Sequence, residues 1–163
     1  MTRIHIGLEV ADIEASTRFY TTLFGVTPSV IKEDYAKWML DDPKVNFSIS
    51  TRCDTASRIH LGLQVESADE LVAVTSRLKE AGQAVRETPQ VTCCYHESDK
   101  TWTADPEGMP WETFFTHGPS TVYGDETLTE VDIEALMSGI SVSRSGASKP
   151  GACCAGDKTS TTC

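Results

Sequence analysis

The sequence predicts an α+β fold in which two tandem β-α-β-β-β modules share one curved sheet. The strand-like motif RIHIGLEV (3–10) recurs as RIHLGLQV (58–65), with six of eight positions identical. Each copy is followed by a helical pattern and then by three strand candidates. One module has too little apolar surface to stand alone, so we expect the two to pair around a shared core. We place module one at 1–55 and module two at 56–118.

Module one continues with a predicted helix over 11–25. Its apolar residues have helical spacing and Gly25 marks its end; they are Phe19, Tyr20, Leu23 and Phe24. The strand candidates that follow are 27–32, 35–40 and 45–51, with the turn signal DDP between the last two. This order is the first β-α-β-β-β unit.

Module two repeats the order with a predicted helix over 66–82. Ser67 and Glu70 have capping-box spacing, and Gly82 is placed to end the helix. The predicted buried stripe consists of Leu71, Val74 and Leu78. The strand candidates are 84–91, 100–104 and 110–116, with the turn signal DPEG before the last one.

Beyond the modules the composition changes. We expect an extension over 119–142 with a short helix near 129–138, and a mobile Ser-, Gly-, Ala- and Thr-rich tail over 143–163. The tail carries Cys153, Cys154 and Cys163, which either capture and deliver a soft ligand or are incidental.

Net charge and the first residues limit which partners and which location the sequence predicts. A formal net charge of −10 argues against nucleic acid or an anionic membrane surface as a partner. The chain starts directly in strand-like alternation, and no apolar run is long enough to span a membrane. We therefore expect a cytoplasmic protein, monomer or homodimer, whose six cysteines are thiols rather than disulfides.

Two histidines occupy the same position in the two copies of the repeat. Alternation places His5 and His60 on the strand face opposite the apolar residues. If a pseudo-twofold axis relates the modules, equivalent positions near it meet, and a glycine two residues later leaves room beside each ring. A third candidate is Glu112, because a carboxylate in an aromatic strand is costly to bury unless it is paired or binds a metal. For each residue alone, an ordinary hydrogen-bonded or solvent-facing role remains open.

Cys93 and Cys94 are adjacent in VTCCYHESDK (91–100). A disulfide between neighbours closes a strained ring, and the spacing is not that of a zinc knuckle. The sulfurs converge only if the chain turns there, and the polar residues that follow predict a loop. The pair is either two ordinary thiols or a ligand for a soft ion. For His96 and Lys100 we favour a solvated histidine and a surface lysine over roles in the site.

With an early His in each half and DPEGMPWE (105–112) before the last strand, the sequence resembles the vicinal oxygen chelate superfamily, which includes glyoxalase I, extradiol dioxygenases and the fosfomycin and bleomycin resistance proteins. The resemblance covers about residues 3–117. It implies the vicinal oxygen chelate fold, a curved-sheet metal cup with His5, His60 and Glu112 as ligands. A fourth, glyoxalase-like ligand is missing, because KVNFSIST (44–51) offers Asn46, Ser48 and Ser50 but no carboxylate. Three ligands favour Fe(II) and O2 chemistry, with Zn, Ni, Co or Mn as substitutes.

The cysteine pair makes the chain similar to the organoarsenical carbon–arsenic lyases and the related cadmium-induced proteins. The resemblance implies that Cys93 and Cys94 bind the arsenic of a trivalent organoarsenical, such as methylarsonous acid or an aromatic arsenical. An Fe(II)-dependent dioxygenase reaction would then release arsenite. Two alternatives stay open: a non-enzymatic soft-metal binder and a thiol-dependent enzyme of the glyoxalase or fosfomycin-resistance type.

Overall fold

Both copies of the repeat adopt the predicted β-α-β-β-β order. The computed structural model describes residues 2–51, 59–124 and 128–143. Module one consists of β1 (Arg3–Glu9), α1 (Ile13–Phe24), β2 (Val30–Ile31), β3 (Tyr35–Asp41) and β4 (Lys44–Ser50). Module two consists of β5 (Ile59–Val65), α2 (Ala68–Glu80), β6 (Arg86–Cys93), β7 (His96–Ala104) and β8 (Pro110–Pro119). The extension adds α3 (Glu130–Met137) and β9 (Val142–Ser143). Cys53, Cys153, Cys154 and Cys163 lie outside the described residues.

The described residues form one nine-stranded sheet, which joins the modules in the order β2-β3-β4-β1-β5-β8-β7-β6-β9. The first strand of each module lies at the centre, and β1 pairs antiparallel with β5. Each of these strands also pairs in parallel with the last strand of its own module, β1 with β4 and β5 with β8. The two halves are therefore arranged as a pseudo-twofold pair, and the predicted curved α+β sheet is confirmed.

The helices begin and end close to the predicted positions. Asp12 caps α1 by accepting a hydrogen bond from the backbone of Ala15, and Gly25 ends it in the left-handed region. Ser67 caps α2 in the predicted way. The capping box at α2 is only half formed, because the Glu70 carboxylate accepts from the backbone of Glu66 rather than that of Ser67.

The apolar cores differ from the shared core that we expected. Each module has its own cluster, one around Trp38 and Phe47 and one around Trp102. Half of the stripe predicted on α1 is exposed, with Phe19 at 60% and Leu23 at 62%. The modules instead share the polar face of the sheet, where the two histidines meet. The prediction of a common apolar core was wrong. The two central strands place their polar residues on the shared face of the sheet, and the apolar residues of each module form a separate cluster.

The extension completes the core of module two. Leu128 and Leu136 are fully or almost fully buried in the Trp102 cluster, and β9 pairs with β6. Asp132 of α3 lies 3.7 Å from the guanidinium of Arg86, and both side chains are buried. In the described part of the chain, no helix combines the length and the apolar character that crossing a membrane requires.

Candidate metal and thiol site

His5, His60 and Glu112 come together on the polar face of the sheet. The repeat predicted that the two histidines meet, and the family resemblance added Glu112. Nε2 of His5 lies 3.1 Å from Nε2 of His60. Oε2 of Glu112 lies 3.7 Å from the first of these atoms and 3.9 Å from the second. Glu112 is 3% exposed and His5 is 6% exposed. Among the described residues, this is the group of three that is placed to hold a metal ion.

The donor set fits a divalent cation. The Nδ1 atom of His5 contacts the backbone carbonyl of Asn46 at 3.2 Å, so Nδ1 carries the proton and Nε2 presents its lone pair. Burial, and then the neighbouring His60, lowers the pKa of His5 to about 3, so this ring is neutral at physiological pH. Two adjacent ligands at metal–nitrogen distances of ~2.1 Å are about 3 Å apart, which matches the separation of the two imidazoles.

Lys100 holds the carboxylate in place. Its Nζ lies 2.5 Å from Oε1 of Glu112, which leaves Oε2 facing the histidines. Burial alone would raise the pKa of Glu112, but the Lys100 charge, followed by His60 and His5, outweighs it and the pKa is lowered. Lys100 is 7% exposed, so the expectation of a surface lysine was wrong. Its position on β7, between the strands that carry Glu112 and Cys93, turns it inward.

The strand registers identify the position that would supply a fourth ligand. Gly62 of β5 pairs with Glu112 of β8, and the equivalent Gly7 of β1 pairs with Ser48 of β4. Ser48 is thus the counterpart of Glu112 in module one. It is buried and lines a cavity that His5, Glu112 and the two cysteines also line. The structure therefore has a hydroxyl where a four-ligand site would have a carboxylate.

The glycines beside the histidines have different roles. A Cβ atom on Gly7 would lie 2.2 Å from Cε1 of His60, so Gly7 makes room for that ring as predicted. A Cβ atom on Gly62 would lie 2.1 Å from the backbone oxygen of Glu112. Gly62 therefore makes room for the neighbouring strand, not for a ring.

Cys93 ends β6 and Cys94 begins a two-residue hairpin turn, whereas the sequence predicted a longer loop after the pair. Cys93 pairs with His96 at the ends of β6 and β7, and the connecting residues Cys94 and Tyr95 have φ values of 56° and 62°. This is the backbone of a type I′ hairpin, which usually takes Asn-Gly. Side chains larger than Gly adopt it at a cost of ~1–2 kcal/mol per residue. The turn brings the two sulfur atoms to 3.1 Å.

The two thiols share one proton. The hydrogen bond with Cys93 is the main cause that lowers the pKa of Cys94 to about 7, against the effect of burial, while Lys100 and Tyr123 lower it further. The same hydrogen bond, followed by burial, raises the pKa of Cys93 well above its usual range. Near neutral pH, a substantial fraction of Cys94 is therefore thiolate, while Cys93 keeps its proton.

Residues from distant segments hold the cysteine turn. The Tyr95 hydroxyl donates to Asp34 at 2.8 Å, and the rings of Tyr35 and Tyr123 lie 5.9 and 5.5 Å from that of Tyr95. The Tyr123 hydroxyl also lies 3.6 Å from Sγ of Cys94. Sequence reasoning missed these tyrosines, because no local pattern connects residues 34–35 and 123 with the turn.

Sequence reasoning missed Lys37 and misjudged His96. Nζ of Lys37 lies 2.8 Å from Nε2 of His96, and Nδ1 of His96 lies 2.9 Å from the carbonyl oxygen of Cys94. His96 is therefore tied to the turn and is not a solvated loop residue. Both residues line the cavity of ≈ 40 Å³ that also contacts His5, Glu112 and the two cysteines.

A paired-module sheet with two histidines and one carboxylate at its axis, placed so that they could hold a metal ion, has the arrangement of the vicinal oxygen chelate class. The model of the glyoxalase/bleomycin resistance protein/dioxygenase superfamily matches residues 3–113, and the chain belongs to this family. The predicted resemblance is confirmed.

The relatives that this chain is similar to include a trivalent organoarsenical cleaving enzyme of Bacillus sp. (strain MD1), 42% identical over 71% of this chain and 74% of the relative. The Thermomonospora curvata enzyme of the same name is 33% identical over 94% of this chain and 100% of its own length. The cadmium-induced protein CadI of Mycobacterium bovis is 33% identical over 76% and 82%. A solved structure titled NAD-dependent benzaldehyde dehydrogenase from Legionella pneumophila superposes with a TM-score of 0.52 at 13% identity. The match covers 69% of this chain and 98% of that one, and it shows similarity of fold alone.

Proposed function

We propose that this protein is an Fe(II)-dependent dioxygenase that cleaves the carbon–arsenic bond of trivalent organoarsenicals and releases arsenite. The observation that carries the proposal is a cavity lined both by the converged thiol pair and by two of the three candidate metal ligands, His5 and Glu112. Relatives named for trivalent organoarsenical cleavage support the same reading. The proposed substrates are methylarsonous acid and trivalent aromatic arsenicals, with O2 as co-substrate.

His5, His60 and Glu112 would hold the iron. Two imidazoles and one carboxylate that leave coordination positions open are typical of non-haem Fe(II) oxygenases. When bound, such an ion supplies the activation of O2. Ser48 at the fourth position supports this chemistry over a four-ligand glyoxalase site, because a neutral hydroxyl is a weak ligand compared with a carboxylate.

Cys93 and Cys94 would capture the arsenic. Thiolates are soft ligands that suit trivalent arsenic. Cys94 would be the nucleophile, because its pKa is lowered to about 7. Two sulfur–arsenic bonds fix the orientation of the substrate, so that the organic group is held toward the triad in the same cavity. We expect the protein to act in the cytoplasm, where these thiols stay reduced.

A soft-metal binder is the second candidate, favoured by the cadmium-induced relative and by the thiol pair. It predicts thiol-dependent binding of ions without turnover. The metal cluster beside the thiols favours the enzyme, because a binder that uses thiols alone would not require a buried triad.

Two sets of variants separate the roles of the two clusters. Replacing Cys93 or Cys94 with Ser should abolish tight binding of methylarsonous acid while metal affinity stays unchanged. Replacing His5, His60 or Glu112 with Ala should abolish metal binding while the thiols still bind the arsenical. Equilibrium dialysis with elemental analysis measures both ligands. Metal binding that survived all three Ala substitutions would contradict the assigned triad.

The C-terminal thiols can be tested by truncation after Ser143. This end keeps β9, which pairs with β6, whereas truncation after Gly139 would remove it. If Cys153, Cys154 and Cys163 deliver substrate, the truncated chain should turn over more slowly at limiting arsenical. An unchanged kcat/KM would remove the tail from the mechanism.

A further inference from the structure

Lys37 is a half-buried cation whose charged neighbour is the Cys94 thiolate. Its ammonium group forms a hydrogen bond with Nε2 of His96 at 2.8 Å. Among the described residues, no carboxylate lies within ion-pair distance of it. Lys100, the other lysine in the cavity, is paired with Glu112. A half-buried ammonium group that lies beside a thiolate, and is not held by a carboxylate, is placed to act on a ligand that binds at the thiols.

His96 fixes the direction of the Lys37 side chain. Nδ1 of His96 donates to the carbonyl oxygen of Cys94, so Nε2 is an acceptor and receives an N–H of Lys37. The chain of contacts runs from β3 of module one, through β7, to the cysteine turn. The ammonium group is thereby held in the cavity that Cys93 and Cys94 also line.

We propose that Lys37, oriented by His96, is a catalytic residue of arsenic capture, in which its ammonium group gives a proton to the first hydroxide that leaves arsenic. This inference rests on the proposed function, because it requires an arsenical to bind at the thiols. It goes further by assigning a general acid to the capture step.

The capture step balances without any change in oxidation state. Cys94 Sγ, as thiolate, forms a bond to the arsenic of R–As(OH)2, and one As–O bond breaks. The oxygen leaves with the electron pair and takes a proton from Nζ of Lys37, giving water and a neutral amine. Cys93 then forms the second S–As bond, its own proton leaves with the second hydroxide as water, and Lys37 regains a proton from solvent. Arsenic stays trivalent.

The acidity of Lys37 suits this transfer. Burial lowers its pKa to about 8, and the Cys94 charge opposes that shift. General acids work best when their pKa lies near the working pH. The titratable groups that line the cavity with Lys37 come from β1, β3, the cysteine turn, β7 and β8; they are His5, Tyr35, Cys93, Cys94, His96, Lys100 and Glu112.

The test compares two leaving groups on metal-free, oxygen-free protein. The probes are phenylarsonous acid, which loses hydroxide, and its bis(2-mercaptoethanol) complex, which loses thiolate. Thiols have pKa values of ~8.5 and water has one of ~15.7, so the departing hydroxide needs a general acid and the departing thiolate does not. Stopped-flow tryptophan fluorescence gives the second-order rate constant, and mass spectrometry confirms the adduct.

We expect Lys37→Met to slow capture of phenylarsonous acid by about 10²-fold and capture of the thiolate complex by less than about threefold. Lys44→Met, at an exposed position on β4, is the matched control and should capture both probes at the wild-type rate. Equal losses for the two probes, or no loss for either, would overturn the assignment.

Two further measurements separate proton transfer from charge and from misfolding. Lys37→Arg keeps the positive charge but is a very weak acid, so it should be as slow as Lys37→Met with phenylarsonous acid. Imidazole buffer, added at constant pH, should accelerate Lys37→Met and leave the wild type unchanged. Full activity of Lys37→Arg, or no acceleration by imidazole, would contradict the acid role.

The outcome is independent of carbon–arsenic cleavage, because neither iron nor O2 is present. If Cys94→Ser captured both probes at the wild-type rate, the proposed thiol site itself would fail. If Cys94→Ser lost capture while Lys37→Met did not, only the role of Lys37 would fail.

Discussion

Replacing Lys100 with Met tests the electrostatic link between the triad and the thiols. The Lys100 and Glu112 side chains are 7% and 4% exposed, and their charged atoms are 2.5 Å apart. Removing one partner of a buried ion pair costs about 3–5 kcal/mol, because the other charge remains buried. For a chain of this size, each kcal/mol lowers the Tm by about 2–4 °C, so we expect a loss of roughly 6–20 °C.

A bound divalent metal should reduce this loss. The ion would supply positive charge beside Glu112, and it would no longer be repelled by the ammonium group of Lys100. The assay is urea unfolding of wild type and Lys100→Met, each with chelator and with saturating Mn(II) or Co(II). Metal should therefore stabilise the variant by more than it stabilises the wild type.

The matched control is Lys79→Met, which breaks an ion pair with Glu87 of the same 2.5 Å separation. Its side chains are 49% and 48% exposed, so the loss should be at most about 1 kcal/mol and independent of metal. A metal-free Lys100→Met within about 1 kcal/mol of wild type would refute the argument. So would an equal loss with and without metal.

Two other predictions concern the thiolate and the packing around the triad. Because the pKa of Cys94 is lowered to about 7, its alkylation by iodoacetamide should reach half-maximal rate near that pH. Tyr123→Phe should move this midpoint upward, because the Tyr123 hydrogen bond helps to lower the pKa. A midpoint at the pKa of an ordinary thiol would contradict the shared proton. Gly7→Ala places a Cβ 2.2 Å from His60 and should weaken metal binding by about tenfold or more, whereas Gly118→Ala, with open space around it, should leave calorimetric metal affinity unchanged. Equal affinities for Gly7→Ala and wild type would show that the ring of His60 does not need this space.

Module order and the meeting of the two histidines were predictable because both follow from periodicity and duplication. Alternation put His5 and His60 on the polar face, and the duplication implied an axis at which they meet. Glu112 followed from a carboxylate placed among aromatic residues in a strand. Local pattern and one symmetry assumption made these three residues candidates, and the family resemblance supplied their assignment as one ligand set. The strand registers agree with the placement of the strands.

The surroundings of the thiols could not be predicted in the same way. A Cys-Tyr pair is an unusual choice for a type I′ turn, so the residues after Cys93 were interpreted as a loop. Lys37 and Tyr123 reach the cavity from segments far apart in the chain, and only the pairing of the strands brings them there. Lys100 looked exposed because neighbouring polar residues hid its inward direction.

Release of arsenite is the most direct test of the proposed enzyme. The protein is loaded with Fe(II) without oxygen, given one equivalent of methylarsonous acid, and then divided into anaerobic and aerated samples for arsenic speciation. We predict arsenite in the aerated sample, none without O2, and none from Cys94→Ser or Glu112→Ala. Iron-loaded, aerated protein that binds the arsenical but releases no arsenite would contradict the account and leave the soft-metal binder.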